Sequence, residues 1–509
     1  MNVFNKAFAN MAPQVMLKRE IARKQLSVLN SGYSHHGASR KKKSLLGWIF
    51  DGGSAKEDIE ENITVLRERS RDLYMGTPIA TGALKTLRTN VVGSGLKLKP
   101  QVDYEFLGLS ENEASELEAT IEREFSLWAE TPDCDMARLN NFYELQQLMF
   151  LSGLMCGDSF ALLPYKSRVG SVYDLRVQLI EADRICDPQS KKQTDDISAG
   201  VECDKDGEVI AYHIANFHPL SQTMKKSWTR IEAYGKKTGR RNVIHFMESE
   251  RIGQRRGVPI LAPVIESLKQ LGRYTDAELM AAVVSAFFTV FIETENISDT
   301  PLGQAVDGSE QVDAEDETSV ELGNGAVVAL APGEHANMAN PTRPNTAFDG
   351  FTTSVCRQIG AALEIPHDLL LKQFDASYSA SRAALLEAWK MFKMRRAWLA
   401  SDFCQPIYEE WFSEAVAKGR IYVPGFFDNP AVKKAYCNAE WCGPSPGQLD
   451  PVKEANAAKI RVEQGFSTRT RETIELTGGD FYKNHRQRLK EENLRQELPG
   501  RKGVTDEED

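Results

Sequence analysis

With 509 residues, 41% of them hydrophobic, the chain has length for two to four domains or one elongated fold with several subregions, and enough apolar residues for a core, which excludes wholesale disorder. Its formal net charge of −10 excludes a protein that grips nucleic acid over its whole surface. There is no apolar run of the roughly 18 residues a membrane-spanning helix needs, and MNVFNKAFANMAPQVMLKRE lacks a secretion signal's apolar centre, so no membrane partner is expected. The eight cysteines are scattered, with no C-x-x-C and no histidine beside Cys437 and Cys442; a reduced setting is expected, without disulfide framework or zinc site.

Residues 1–60 read as a flexible basic tail around the solvated run Arg40-Lys41-Lys42-Lys43. Residues 63–87 turn helical, with a break near Gly76-Thr77-Pro78. Leu96-Lys97-Leu98-Lys99 alternates as a strand does. An acidic amphipathic helix over 111–128 carries Leu117, Ile121, Phe125 and Trp128 on one side, and 141–156 continues helical. Strands are expected at 159–164, 174–180, 207–215 and 242–246, bounded by Asp187-Pro188, Asp206-Gly207 and His218-Pro219. Short connections make this an α+β region, mostly antiparallel.

Arg255-Arg256-Gly257-Val258-Pro259 opens a long helix to about residue 287, with Pro259 and Pro263 in its first turns and Val264, Leu268, Leu271, Leu279 and Val283 on its face. Between Tyr274 and Thr342 stand thirteen acids and no Lys or Arg. Strands at 288–292 and 326–330 flank a polar excursion, and 347–363 is helical.

Pro366 stops that helix. Asp375, Ser377, Ser379 and Ser381 crowd a polar turn, and any of the serines can cap the next helix. Leu385, Trp389, Phe392, Leu399 and Phe403 then mark one face of a long helix, which Pro406 should kink or end. Strands at 420–423 and 435–441 follow, then the break Gly443-Pro444-Ser445-Pro446-Gly447. Asp450 and Pro451 make an N-cap and first turn, which predicts helices over 451–463, 467–476 and 480–497 before a charged tail.

No G-x-x-x-x-G-K-[ST], H-E-x-x-H or G-x-S-x-G is present, so no catalytic residue, cofactor or metal is assigned and the chain is expected not to be an enzyme. The acid-rich span could hold two metals for a nuclease, but it lacks the apolar framing of a rigid site and reads as a solvated acidic face. His213, His218 and His245 read as structural; His367 reads as a cap or as solvated.

Four stretches carry a resemblance: YMGTPIATGALKTLRTNVVGSGLKLKP, GQRRGVPILAPVIESLKQLGRYTDAEL, LEIPHDLLLKQFDASYSASRAALLEAW and GPSPGQLDPVKEANAAKIRVEQGFSTRTRE. In this order, they resemble the lambda-type portal proteins of tailed bacteriophages, the rings that connect head to tail. The resemblance implies a helix-rich α+β portal fold and a ring, commonly of twelve subunits, at one capsid vertex, through which double-stranded DNA passes during packaging and ejection. It implies a wing over 61–257 and 420–447, stem helices over 258–287 and 347–364, a clip over 288–346, a channel loop over 365–380, a long kinked helix over 381–419 and a crown over 448–497, with tails at 1–60 and 498–509. It implies as partners the terminase large subunit, a head–tail adaptor, and major capsid and scaffold proteins.

Within that frame, Lys372, Gln373, Tyr378 and Arg382 are the candidate DNA contacts. Glu293, Glu295, Asp299, Asp313, Glu315, Asp316 and Glu317 are the candidate acidic lining of channel and clip. Ring assembly is expected to bury part of the faces carrying Leu268, Leu271 and Phe392. The rival readings are a metal-dependent nuclease of the packaging machinery and a different head–tail adaptor ring; the length and the paired long helices argue against the adaptor.

Overall fold

A computed structural model describes residues 18, 21–22, 52–188, 196–221, 227–286, 290–292, 327–329, 348–374, 377–447 and 450–497. The chain divides into two compact units, Met1–Asp58 and Ile59–Asp509, and the fold below is that of the second. Most of the expected N-terminal tail and all of 498–509 lie outside the described residues.

Helices α1 (Ile63–Gly76) and α2 (Pro78–Val91) meet at Thr77, where Pro78 opens α2 at a position whose amide needs no partner. Strand β1 (Lys97–Pro100) follows. Helices α3 (Glu111–Ala129) and α4 (Phe142–Cys156) each begin with a capping box, Ser110 with Glu113 and Asn141 with Glu144. Next come β2 (Asp158–Leu162), β3 (Gln178–Ile180), β4 (Ile197–Ser198), β5 (Val201–Cys203), β6 (Val209–Ala215), β7 (Trp228–Glu232) and β8 (Val243–Met247). They form two antiparallel sheets, one in the order β3-β2-β8 and one in the order β4-β5-β6-β7.

Helix α5 spans Ile265–Ala286 and is preceded by a 3₁₀ turn at Ala262–Val264. It therefore starts later than the expected 255–259. In a helix begun at Pro259, Pro263 would lie one turn in, where its ring collides with the preceding carbonyl. Strands β9 (Val290–Ile292) and β10 (Val327–Ala329) pair in parallel. Helices α6 (Phe348–Ala362), α7 (His367–Leu371), α8 (Tyr378–Leu399) and α9 (Gln405–Ala417) follow. The long α-helix is interrupted just ahead of Pro406. A π-helical turn at Ala400–Cys404 intervenes, the Gln405 amide reaches back to the Ala400 carbonyl, and Pro406 falls in the first turn of α9.

The expected strand at 420–423 is irregular, and 435–441 is only partly strand. The Asn429 side chain accepts from the Ala431 amide and starts α10 (Pro430–Tyr436), which leaves β11 (Ala439–Cys442) to pair antiparallel with β1. The chain closes with α11 (Pro451–Glu463), α12 (Arg469–Thr477) and α13 (Phe481–Glu497), the first capped by Asp450.

The main core joins α2, α3, α4, α8 and α9. Phe125 packs edge-on against Trp411, with ring centroids 5.0 Å apart, and against Tyr408 and Trp441. Leu268, Leu271 and Phe392 belong to this core: α5 packs on α1 and α6, and α8 on α2. These three side chains are covered by the chain itself, so the part of the α5 face left for assembly to bury lies elsewhere. The uncovered apolar residues are farther along α5, at Leu279, Met280 and Val283, and at Phe351 on α6.

A buried charge cluster fixes how the sheets meet the helices. Asp158, fully buried on β2, receives Arg67 Nη2 from α1 at 2.7 Å and Arg256 Nε at 2.6 Å. The Gly257 amide donates to the same carboxylate at 3.1 Å. Arg67 also donates to the Cys156 carbonyl, and Arg256 to those of Ile185 and Ala182. The backbones cross so closely that a β-carbon on Gly257 would lie 1.9 Å from the Gly157 carbonyl oxygen. Burial would raise the Asp158 carboxyl, but Arg256 and Arg67, helped by the His245 hydrogen bond, hold it well below the usual range. Burial lowers the His245 imidazole, so its 3.4 Å approach to Asp158 is a hydrogen bond of a neutral ring. His213 meets Glu202 at 2.9 Å.

Because the folded value lies below the unfolded one, the stability from Asp158 is complete above about pH 4 and is lost as pH falls through the folded value. Asp158→Asn, which leaves two buried guanidiniums uncompensated, should cost about 3–5 kcal/mol at about pH 7. In chemical denaturation the gap to wild type should narrow below about pH 4; an equal gap at both pH values would contradict this.

Candidate nucleic-acid interface

The segment between α6 and α8 is assembled from the backbone outward. At the end of α6 the Leu363 amide bonds the Ile359 carbonyl and the Ile365 amide returns to that of Gly360. Gly360 lacks a side chain where a β-carbon would stand 2.6 Å from the Ile365 oxygen. Glu364 takes φ of 58° within this reversal. Pro366 then sets the start of α7, its carbonyl accepting from the Leu370 amide.

Helix α7 ends at Lys372, whose φ is 56°. The Lys372 and Gln373 amides both donate to the Asp368 carbonyl. Lys372, Gln373 and Phe374 are exposed. The Ser377 side chain accepts from the Ala380 amide and opens α8 at Tyr378, so of the three serines it is Ser377 that caps. The expected 365–380 loop thus contains a helix over His367–Leu371, and only the stretch from 372 to 377 lies between helices.

The four candidate contacts fall at the end of α7 and in the first turns of α8. Lys372 and Gln373 stand together at the exposed end of α7. Tyr378 is the first residue of α8; its side chain lies outside the described set. Arg382 is half-buried and lines a cavity of about 860 Å³ bounded by α8, α12 and the Gly443–Gly447 stretch, with Leu386, Trp389 and Ile474. That places Arg382 toward the C-terminal helices. The seven acidic candidates, Glu293, Glu295, Asp299, Asp313, Glu315, Asp316 and Glu317, lie outside the described residues.

Two residues here escaped the sequence reading. Phe374, 60% exposed, extends the surface presented by Lys372 and Gln373. Arg395 lies on the buried side of α8 and reaches Glu364 at 3.3 Å. Its signal was legible: it falls on the stripe of Phe392 and Leu399, where a cation needs an acid nearby. The next residue, Arg396, donates to the Asn90, Val91 and Pro444 carbonyls, and burial lowers it to about 10. It closes the open end of α2 and ties α8 to it.

Elsewhere, Glu181, Asp183 and His218 bring ligand atoms within 4.8 Å of one another, the metal-type cluster among the described residues. The Arg71 guanidinium bonds both carboxylates, so the local positive charge is already a side chain. Among the described residues, no helix is long and apolar enough to cross a membrane.

The chain is 25% identical over 480 residues to portal protein B of Escherichia phage lambda, covering 91% of this chain and 89% of that protein. It is 25% identical over 483 residues to the portal protein of Escherichia phage N15, covering 91% and 90%. It is 22% identical over 423 residues to a probable portal protein of Halomonas phage phiHAP-1, covering 81% and 77%. Among solved structures, a chain from the neck of an empty GTA particle computed with C6 symmetry aligns with a TM-score of 0.41 at 13% identity, covering 81% of this chain and 92% of that one. The profile described as phage portal protein, lambda family, matches residues 41–396, from ahead of α1 to within α8. On that match, most of the chain's length, the protein belongs to the lambda family of phage portal proteins.

Proposed function

We propose that this head–tail connector is a ring of twelve copies at one capsid vertex, through whose channel double-stranded DNA enters during packaging and leaves during ejection. Terminase large subunit docks on it first and a head–tail adaptor later, with major capsid and scaffold proteins around it. It is a conduit and not an enzyme: other proteins supply the work.

The observation that carries the DNA contact is the backbone of Lys372. A left-handed conformation costs a non-glycine residue about 1–2 kcal/mol, and glycine or asparagine usually ends a helix this way. Here an exposed lysine holds that position at the end of α7. A strained residue whose side chain meets solvent points to a use for that side chain. Gln373 and Phe374 add a polar and an apolar contact beside it. Arg382, toward the C-terminal cavity, is the least supported of the four candidates.

The rest of the channel works by repulsion. Duplex DNA carries one negative charge per about 1.7 Å of axis, and a basic tunnel would hold it through counterion release. The thirteen acids between Tyr274 and Thr342, with no cation among them, suit a wall that keeps the duplex centred. A narrow ring of Lys372 side chains can touch phosphates without arresting them.

Lys372→Gly removes the charge and the strain together, so its stability should stay within about 1 kcal/mol of wild type. Rings should still form, while DNase-protected genome falls; Lys372→Glu, adding repulsion, should reduce it further. Normal packaging and retention in both variants would remove Lys372 from the mechanism.

The ring surface is expected at the uncovered apolar residues Leu279, Met280, Val283 and Phe351. Leu279→Glu with Val283→Glu should leave the monomer folded and prevent ring closure, seen by light scattering at micromolar concentration. Leu268→Ala should instead cost about 2–5 kcal/mol of folding stability, because its site is internal. Intact rings from the double variant would exclude this face from the subunit contact.

A further inference from the structure

Position 364 carries a residue its backbone does not favour. The reversal after α6 puts Glu364 at φ of 58°, where glycine or asparagine is usual. What glycine could not supply is the carboxylate, and Glu364 Oε2 lies 3.3 Å from Arg395 Nη2 on α8. Arg395 is anomalous in turn: only 6% of its side chain is exposed, among the apolar residues of that helix. Its Nη1 lies 3.7 Å from Glu248, the residue after β8. Its Nε is buried with no hydrogen-bond partner among the described residues. A cavity of about 220 Å³ borders the guanidinium, lined also by Glu248, Glu364, Pro259 and Trp398.

We infer that Arg395 is a positioning residue, a latch that fixes the direction in which the segment carrying Lys372 leaves α6. One guanidinium serves two carboxylates from different parts of the chain: the reversal after α6 and the end of the sheet. Both contacts are long, and both acids are about half exposed, which suits a joint that holds and can release. While Glu364 is engaged, the left-handed turn is kept and α7 is pointed. Once it disengages, nothing in the side chain offsets the unfavourable backbone, and the turn can relax toward ordinary conformations. Glu248 keeps the guanidinium from being left wholly uncompensated, so release need not unfold α8. The latch is a property of this chain; its consequence for DNA rests on the portal reading and on Lys372 facing the channel.

Hydrogen–deuterium exchange on the assembled full-length protein tests it. Arg395→Gln and Glu364→Gln should each accelerate amide exchange across residues 365–374 about tenfold or more. The double variant should exchange no faster than the faster single one, because both remove the same contact. Peptides from α9 should exchange as in wild type. Wild-type exchange across 365–374 in the single variants, or effects that multiply in the double variant, would overturn the latch. Should Arg395→Gln fail to fold, Glu364→Gln, in a side chain 55% exposed, carries the same test. Failure of the channel reading is separate: packaging would be normal in the Lys372 variants while these exchange rates still rose.

Discussion

A single buried carboxylate sets the frame. Apolar burial draws the helices together but has no direction, whereas Asp158, with Arg67 and Arg256 bonded to it, accepts only one arrangement of its donors. The donors come from α1 and from the turn that leads into α5, and their remaining hydrogens go to the carbonyls of Cys156, Ala182, Ile185 and Ala199. The mutual approach of Gly157 and Gly257 leaves no slack in that crossing. The direction in which α5 departs from the sheets is therefore fixed chemically.

What that direction serves lies beyond the end of α6. Leu268 and Leu271 hold α5 in the core, and Tyr274 packs on Phe348 and Phe351 of α6, which ties the two helices together. The chain then turns at Glu364, makes the single short helix α7, and re-enters a helix at Ser377. Lys372 is thus presented by a stretch fastened on both sides. Arg396 ties α8 to α2, and Arg395 ties it to the turn after α6. Under the proposed DNA contact such fastening is an advantage, since a loose cation would follow the duplex and hold it.

The legible parts of the sequence were those with local causes. Asp450 before Pro451, the break at Gly76-Thr77-Pro78 and the apolar pattern beginning near 111 and 141 place helix starts from a few residues of chain, and the structure starts helices there. Strands β4, β5 and β7 were not legible: two are too short to alternate, and β7, Trp228–Glu232, is largely polar and open to solvent. The Asp158 cluster was hidden because its partners lie 91 and 98 residues away in sequence. The stripes with Leu268 and Phe392 were read correctly as apolar, but periodicity does not say whether the same chain or another covers a face. At the candidate site, the family resemblance nominated Lys372, while its left-handed backbone, the help Glu364 receives from Arg395 and the placement of Arg382 toward the C-terminal cavity are visible only in the folded chain.

The proposed channel is a repulsive passage interrupted by a short cationic belt. Electron cryomicroscopy of the assembled ring, at a resolution that shows side chains, tests it most directly. The account predicts Lys372 facing the axis at a constriction, with the acids at 293–317 lining the passage on the clip side. Lys372 on the outer perimeter or within a subunit contact, or a passage lined mainly by lysine and arginine, would contradict it.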